Sequence, residues 1–220
     1  MEHVFDPLNK KEFKSRMAES FPAVYLTAIS IIQGVALGIL ASNTFCYIKD
    51  PNLAEPWIRF LPYSVTSLIF LIVVTYEYTW FVGIFKYSPK IWDTIIPFVL
   101  GASEIAPMFY LTNPRIWWVL VTIFCFFGAW GFLNTLRNCK EPMFGENEQA
   151  YRRTRNTLKW DISIAMVGAV ISSFAGILSP IKVWYWETPF WGSVIGIVTY
   201  MIVREEKFLK ALHRDFGLVR

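Results

Sequence analysis

The sequence predicts an all-α integral membrane protein, a bundle of about six transmembrane helices with both termini in the cytoplasm. Three observations predict this class. The 220 residues are 55% hydrophobic and 17% charged, with a mean hydropathy of +0.39, whereas soluble domains are typically about a quarter charged. Six apolar segments are long enough to cross a bilayer. The basic residues collect on one side of the membrane that these segments define.

The six segments match the length that a bilayer requires. A helix rises about 1.5 Å per residue, so about 20 apolar residues cross a hydrocarbon core of about 30 Å. The predicted spans, which together form one transmembrane domain over residues 23–203, cover residues 23–43, 61–85, 91–111, 116–136, 162–178 and 183–203. The third span is the least regular, because Asp93, Pro97, Glu104 and Pro107 all lie inside it.

The distribution of charge predicts the orientation. Of the 21 basic residues, 17 lie on the side that holds both tails and 4 lie on the other side. Because Lys and Arg favour the cytoplasmic side, both ends are expected inside the cell. Residues 1–22 and 204–220 are then cytoplasmic tails with the spacing of basic amphipathic helices. Such helices can lie on the anionic leaflet, or the second can extend the sixth span and pack against protein.

Tryptophans are expected as anchors at the membrane interface, where an amphipathic ring is best placed. The residues near predicted span ends are Trp57, Trp92, Trp117, Trp118, Trp160, Trp184, Trp186 and Trp191. The cysteines Cys46, Cys125 and Cys139 fit no metal or redox spacing and are predicted to be unpaired thiols.

Acids inside the bilayer are the most informative residues, because a charge at the centre of a span is energetically unfavourable. Glu77 in the second span and Glu104 in the third are expected to face a bundle interior, a wet cavity or a subunit interface. Asp93, Asp161 and Glu187 are expected at the water interface. The alternative for Glu77 and Glu104 is a protonated carboxyl that serves only packing. The predicted neutral partners of the two acids are Gln33, Ser64, Thr66, Thr79, Ser103 and Thr122.

The third span is predicted to be kinked and to line a pathway. Pro97 and Pro107 each remove a backbone donor, and Gly101 lies between them beside Glu104. Interrupted helices are tolerated at membrane depth where protein or a water-filled cavity covers them. An ordinary proline-kinked span is the alternative.

Two further patterns have both a functional and a structural interpretation. Arg152, Arg153 and Arg155 are predicted to contact an anion or lipid headgroup, although positive-inside topology also explains them. Small residues recur at four-residue spacing, as in Gly34–Gly38 and Gly192–Gly196. Such faces let helices approach closely, within one chain or between subunits.

The leading functional hypothesis is a small channel or transporter for ions or small solutes in the inner (plasma) membrane. Glu104, Glu77, Gln33, Ser103 and Thr79 would line its path, and homo-oligomers are expected because six spans are few for a pore. The alternative is a non-conducting scaffold or sensor that binds a cytoplasmic protein through its basic loop and tails. A lipid-modifying enzyme is least favoured, because no nucleophile–base pair is visible and the histidines, His3 and His213, lie outside the spans. No cofactor, metal, catalytic residue or nucleic-acid partner is predicted.

Overall fold

The computed structural model describes residues 10–49, 60–84, 91–144, 147–179 and 188–216. Within these ranges the chain is helical and contains no strand. Six α-helices follow one another, with 3₁₀ segments at Ala106–Tyr110 and Glu141–Phe144. The helices are α1 (Lys10–Lys49), α2 (Leu61–Ile84), α3 (Ile91–Ile105), α4 (Pro114–Asn138), α5 (Glu148–Leu178) and α6 (Thr188–Asp215).

Local sequence explains where α4 and α5 begin. The Asn113 side chain accepts a hydrogen bond from the Ile116 backbone N–H, and Pro114 occupies the first turn of α4. Asn147 caps α5 in the same way by accepting from Ala150 N–H. Asparagine caps satisfy backbone donors that have no partner within the helix, and proline is tolerated in the first turn because it lacks that donor.

Four helices are long and apolar enough to cross a membrane, and their outer faces indicate a membrane protein. These helices span Glu19–Lys49, Leu61–Ile84, Pro114–Asn138 and Glu148–Leu178, and Ile95–Tyr110 forms a shorter apolar helix. Large apolar side chains such as Ile31, Ile72 and Ile177 are 63%, 57% and 70% exposed. An apolar exterior of this kind suits lipid rather than water.

A cluster of aromatic rings fills the end of the bundle where α2, α4 and α6 begin. Tyr63 lies 4.7 Å from Trp191 and 5.1 Å from Trp117, measured between ring centroids. Trp118 lies 4.9 Å from both Trp117 and Trp191. Offset and edge-to-face ring pairs at such distances are favourable.

The expectation of interface anchors is wrong for Trp117 and Trp118, which are both 0% exposed. Three helix starts meet at this end, so these rings face one another rather than the lipid headgroups. Trp160, in contrast, is 58% exposed, as an anchor requires. Trp57, Trp184, Trp186 and the Trp92 side chain lie outside the described residues.

At the other end, α5 and α6 continue beyond the apolar parts of their sequences and pack together. Leu158 of α5 and Phe208 and Leu212 of α6 belong to one buried cluster with Trp80 of α2. The Asn147 side chain donates to the Asp215 carbonyl, and Arg153 pairs with the Asp215 carboxylate at 3.0 Å. The apolar stripe of residues 204–215 therefore packs against protein as an extension of the sixth helix.

Candidate functional site

Glu104 lies inside the bundle and is held by a hydrogen bond across two helices. Its side chain is 3% exposed. Gln33 of α1 donates from Nε2 to Glu104 Oε2 at 2.8 Å. Oε1 of Glu104 and Oε1 of Gln33 are both buried without a hydrogen-bond partner in the structure. A buried oxygen of this kind can accept a hydrogen bond from water, carry a proton or bind a cation.

Gly101 is what allows α1 and α3 to approach closely beside this hydrogen bond. A Cβ at position 101 would lie 2.4 Å from Ile32 Cγ2, so a larger residue would require Ile32 or one of the two helices to shift. Ile32 precedes Gln33, and the close approach therefore brings Gln33 within reach of Glu104. The structure gives Gly101 this packing function, and its part in a helix kink stays a prediction.

The two prolines of the third span differ in their surroundings. Pro97 lies within α3, whose α-helical residues run without interruption from Ile91 to Ile105. Pro107 lies in the first turn of the 3₁₀ segment that follows, where the backbone changes from α to 3₁₀ geometry. Glu104 is therefore the last residue but one of α3.

Glu77 lines a cavity at the centre of the bundle. The cavity has a volume of about 170 Å³ and receives side chains from all six helices. Its wall is apolar and aromatic apart from a few polar groups, among them Glu77, Tyr78 and Thr135. Trp80 donates from Nε1 to Glu77 Oε2 at 2.5 Å, and Glu77 Oε1 is buried with no hydrogen-bond partner among the described residues.

A second charged cluster joins α5 and α6 next to Glu77. Arg204 Nη2 donates to Asp161 Oδ1 and, at 2.6 Å, to Glu205 Oε1. Asp161 is 0% exposed and Glu205 is 1% exposed. The second oxygen of each carboxyl group and Nε and Nη1 of Arg204 are buried, and none of them has a hydrogen-bond partner in the part of the chain that the structure describes. These groups can hold water or an ion in addition to one another.

The three groups of this cluster are electrostatic neighbours of Glu77. Glu104, in turn, is an electrostatic neighbour of the Tyr78 hydroxyl, which lines the same cavity as Glu77. Polar groups therefore follow one another from Arg204, through Glu77 and the cavity, to Glu104. If the carboxyl groups of Asp161, Glu205 and Glu77 were all ionised, their three negative charges would exceed the single positive charge of Arg204.

The structure separates the remaining predicted residues from this series. Ser103 is buried and donates to the Leu100 carbonyl of its own helix, rather than to Glu104. Thr79 is exposed and donates to the Thr75 carbonyl. Both hydroxyls are thus satisfied by backbone carbonyls of their own helices, a common arrangement for Ser and Thr in helices.

The predicted anion-binding arginines make contacts within the protein. Arg152 pairs with Glu148 at 2.5 Å, and both side chains are largely exposed. Arg153 pairs with Asp215. Arg155 donates to the Tyr151 hydroxyl at 2.8 Å. Each guanidinium keeps further donors, so contact with a lipid phosphate stays a prediction.

Sequence reasoning missed the Asp161–Arg204–Glu205 cluster. The expectation that Asp161 lies at the water interface is wrong, because its side chain is fully buried. The partner is 43 positions away and follows the last apolar residue of the sixth predicted span. One signal in the sequence could have found this pair. Asp161 directly precedes the fifth apolar segment and Arg204 directly follows the sixth, and two consecutive antiparallel helices bring such positions to the same end of the bundle. Asp93 lies in the first turn of α3, but its side chain, like Glu187, lies outside the described residues.

Comparison with known proteins identifies no relative. No protein-family model matches the chain, no curated protein matches it, and no solved structure matches it. The functional argument therefore depends on the chain's own residues.

Proposed function

We propose that the chain is a small transporter or channel for ions or small solutes, spanning the inner (plasma) membrane six times with both ends in the cytoplasm. The observation that carries this proposal is Glu77, an acid on the wall of a cavity within the bundle with one oxygen left unpaired. Buried intramembrane acids of this kind typically mark ion or proton pathways. Glu104 continues the path beyond the cavity.

The arrangement favours a transporter that exposes its site to one side at a time. The end of the bundle where α2, α4 and α6 begin is filled by the rings of Tyr63, Trp117, Trp118 and Trp191. Glu77 lies towards the other end, close to where α2 ends beside Trp80 and Phe208. A cavity closed by packed rings on one side matches one state of an alternating-access cycle.

The test is cation and proton flux into proteoliposomes that contain the purified protein. We expect Glu77→Gln to lower the flux at least about tenfold, because the amide neither binds a cation strongly nor exchanges a proton at neutral pH. Glu104→Gln is expected to lower it as well. Unchanged flux in both variants would show that the acids have no part in conduction, even in a protein that conducts.

Glu206→Gln is the matched control for these variants. Glu206 is also a carboxylate of the charged helix ends, but it pairs with Lys210 at a solvent-exposed position, with side-chain exposures of 59% and 70%. Its substitution is expected to leave flux unchanged. A parallel loss of flux in Glu206→Gln would point to a general effect of surface charge instead.

A scaffold or sensor is the second candidate, and the joined extensions of α5 and α6 favour it. This unit carries Arg152, Arg153 and Arg155 as well as Lys210, so it presents basic groups to a cytoplasmic partner. Recovery of a soluble protein in fixed stoichiometry, together with no flux from the purified chain, would support this function over transport.

Homo-oligomerisation belongs to the transport proposal. Four glycines face open space in the described part of the chain: a Cβ added at any of them would meet no neighbouring side chain or neighbouring helix within 4 Å. They are Gly34 and Gly38 on α1 and Gly192 and Gly196 on α6. Such open small-residue faces allow close contact between helices of two subunits. Native mass spectrometry of the protein in detergent, with Gly38→Leu as the variant, tests whether this face holds subunits together.

A further inference from the structure

The central cavity has the size of a single aromatic ring with a small substituent. Its volume is about 170 Å³, and an apolar cavity of about 150 Å³ is known to accept benzene. On α2 the lining residues run from Phe70 to Phe81, a length of about 16 Å at 1.5 Å per residue. A hydrated inorganic ion does not need walls of this kind.

The walls of the cavity are aromatic on several sides. Tyr25, Phe70, Trp80, Phe81, Phe124 and Phe132 all line it. The faces of aromatic rings attract cations, and a cation held away from water gains most from them. Apolar walls also favour the hydrocarbon part of an organic molecule, because its transfer from water is favourable.

Carboxyl groups outnumber bases beside the cavity. Within the described residues, the Glu77 carboxyl accepts one hydrogen bond, from the neutral N–H of Trp80, and its other oxygen has no partner. The Arg204 guanidinium, which is the neighbouring base, is already shared between Asp161 and Glu205. Three carboxyl groups therefore share one guanidinium next to the cavity, and this group of residues can accept a further positive charge.

We infer that the cavity binds a small aromatic or alkyl ammonium ion, with the cationic group at Glu77 and the hydrocarbon part against the ring walls. The assignment of this ion as cargo rests on the proposed transport function, whereas the binding site itself does not. The other titratable groups that face Glu77 are Tyr76 on α2, Asp161 on α5, and Arg204 and Glu205 on α6.

The test is equilibrium binding of phenyltrimethylammonium to the purified full-length protein in lipid nanodiscs. Its neutral isostere, tert-butylbenzene, has the same shape without the charge and is measured in parallel. We expect saturable binding of the cation and at least about 30-fold weaker binding of the isostere, as for the loss of one partner of a buried charge pair. Equal affinity for the two compounds would overturn the assignment to a cation.

Two variants test separately whether binding depends on the carboxyl charge and on the free volume of the cavity. Glu77→Gln keeps the shape of the side chain and is expected to weaken binding of the cation about 30-fold or more. Gly128→Leu places a side chain in the cavity, because Gly128 lines it and has nothing within 4 Å of a built Cβ. It keeps Glu77 and is expected to abolish binding. Glu148→Gln, at a surface pair with Arg152, is expected to bind as the unsubstituted protein does.

The outcomes distinguish this inference from the proposed function. Unchanged binding in Gly128→Leu, or in a folded Glu77→Gln, would overturn the site. Inorganic cation flux without phenyltrimethylammonium binding would contradict the inference and leave the transport proposal standing. Binding at Glu77 without any flux would support the inference and count against transport.

Discussion

Arg204 is the single residue on which the charged cluster depends. Its guanidinium is shared by two carboxyl groups that are almost fully buried, those of Asp161 and Glu205. Removing one partner from a buried ion pair leaves charge without compensation, which is strongly destabilising even where the intact pair adds little to stability.

We therefore expect Arg204→Met to lower the free energy of unfolding by about 3–5 kcal/mol. Thermal unfolding in detergent measures this change. Lys210→Met, which removes the base of an exposed pair with Glu206, is the control and should unfold at the temperature of the unsubstituted protein. Equal stability of Arg204→Met and Lys210→Met would show that the buried cluster is not held by its arginine.

The close contact between Gly101 and Ile32 gives a second prediction about stability. Alanine there would place Cβ 2.4 Å from Ile32 Cγ2, and overpacking of a tight contact is destabilising by about 1–3 kcal/mol. Gly34→Ala is the control on α1, because nothing lies within 4 Å of its built Cβ. Its unfolding temperature should stay the same or rise, since alanine favours helix over glycine. An unchanged unfolding temperature in Gly101→Ala, together with a lowered one in Gly34→Ala, would contradict the packing of α1 against α3 at Gly101.

At the scale of elements, the joined ends of α5 and α6 form a packed unit that also encloses Cys139. This cysteine follows α4 and is 5% exposed. Burial raises the pKa of its thiol to about 11, although nearby Arg155 acts to lower it. A raised thiol pKa means that less reactive thiolate is present at a given pH.

Cys139 should therefore react slowly with maleimide at pH 8 in the native protein and rapidly after denaturation in detergent. At a pKa of about 11, about one thiol in a thousand is ionised at pH 8. Phe208→Ala, which removes a ring from the same cluster, should speed up the native reaction, because such a truncation destabilises packing by about 3–5 kcal/mol. Rapid labelling of native Cys139 in a Cys46→Ser, Cys125→Ser background would contradict the packed arrangement.

The elements also show what could be predicted from sequence. The second and fourth helices match their predicted spans within about two residues, because their apolar runs are bounded by turn residues and prolines. Arg204–Asp215 is helical as an extension of α6, one of the two arrangements that its amphipathic spacing predicted. Glu148–Asp161 is helical as well, which hydropathy does not indicate. Their helical structure depends on packing against each other, a tertiary effect that local composition does not carry.

The candidate site was predictable in the same uneven way. Glu104 is buried and Glu77 is half-buried with one carboxyl oxygen buried, in line with the energetics of an intramembrane charge. Gln33 was among the neutral partners expected for them. Asp161 was assigned to the water interface because its partner comes from a helix that is distant in sequence. Thr79 was included on proximity along the chain, although residues at positions i and i+2 point to different faces of a helix.

For the whole molecule, the central prediction concerns orientation. The helices alternate in direction through the bundle, as the meeting of the starts of α2, α4 and α6 shows. The proposed even number of crossings, with the basic residues inside, would place Cys46, near the far end of α1, on the outer side. Cys46 is exposed.

A protein whose only cysteine is Cys46 should therefore react with a membrane-impermeant maleimide in intact cells. A protein whose only cysteine is introduced by Arg152→Cys should react only after the cells are permeabilised. The Arg152 side chain is 72% exposed, so its protection would come from the membrane and not from packing. The reverse pattern would contradict the predicted orientation, and labelling of both sites in intact cells would contradict an even number of crossings.

The most direct test of the account is the current carried by reconstituted protein on a solid-supported membrane when a cation gradient is applied. If the Glu77 carboxyl acts on the transported ion, Glu77→Asp, which keeps the charge on a shorter side chain, should retain part of the current. Glu77→Gln, which keeps the length without the charge, should carry almost none. Equal currents from Glu77→Gln and the unsubstituted protein would contradict the claim that this carboxyl acts on the transported ion.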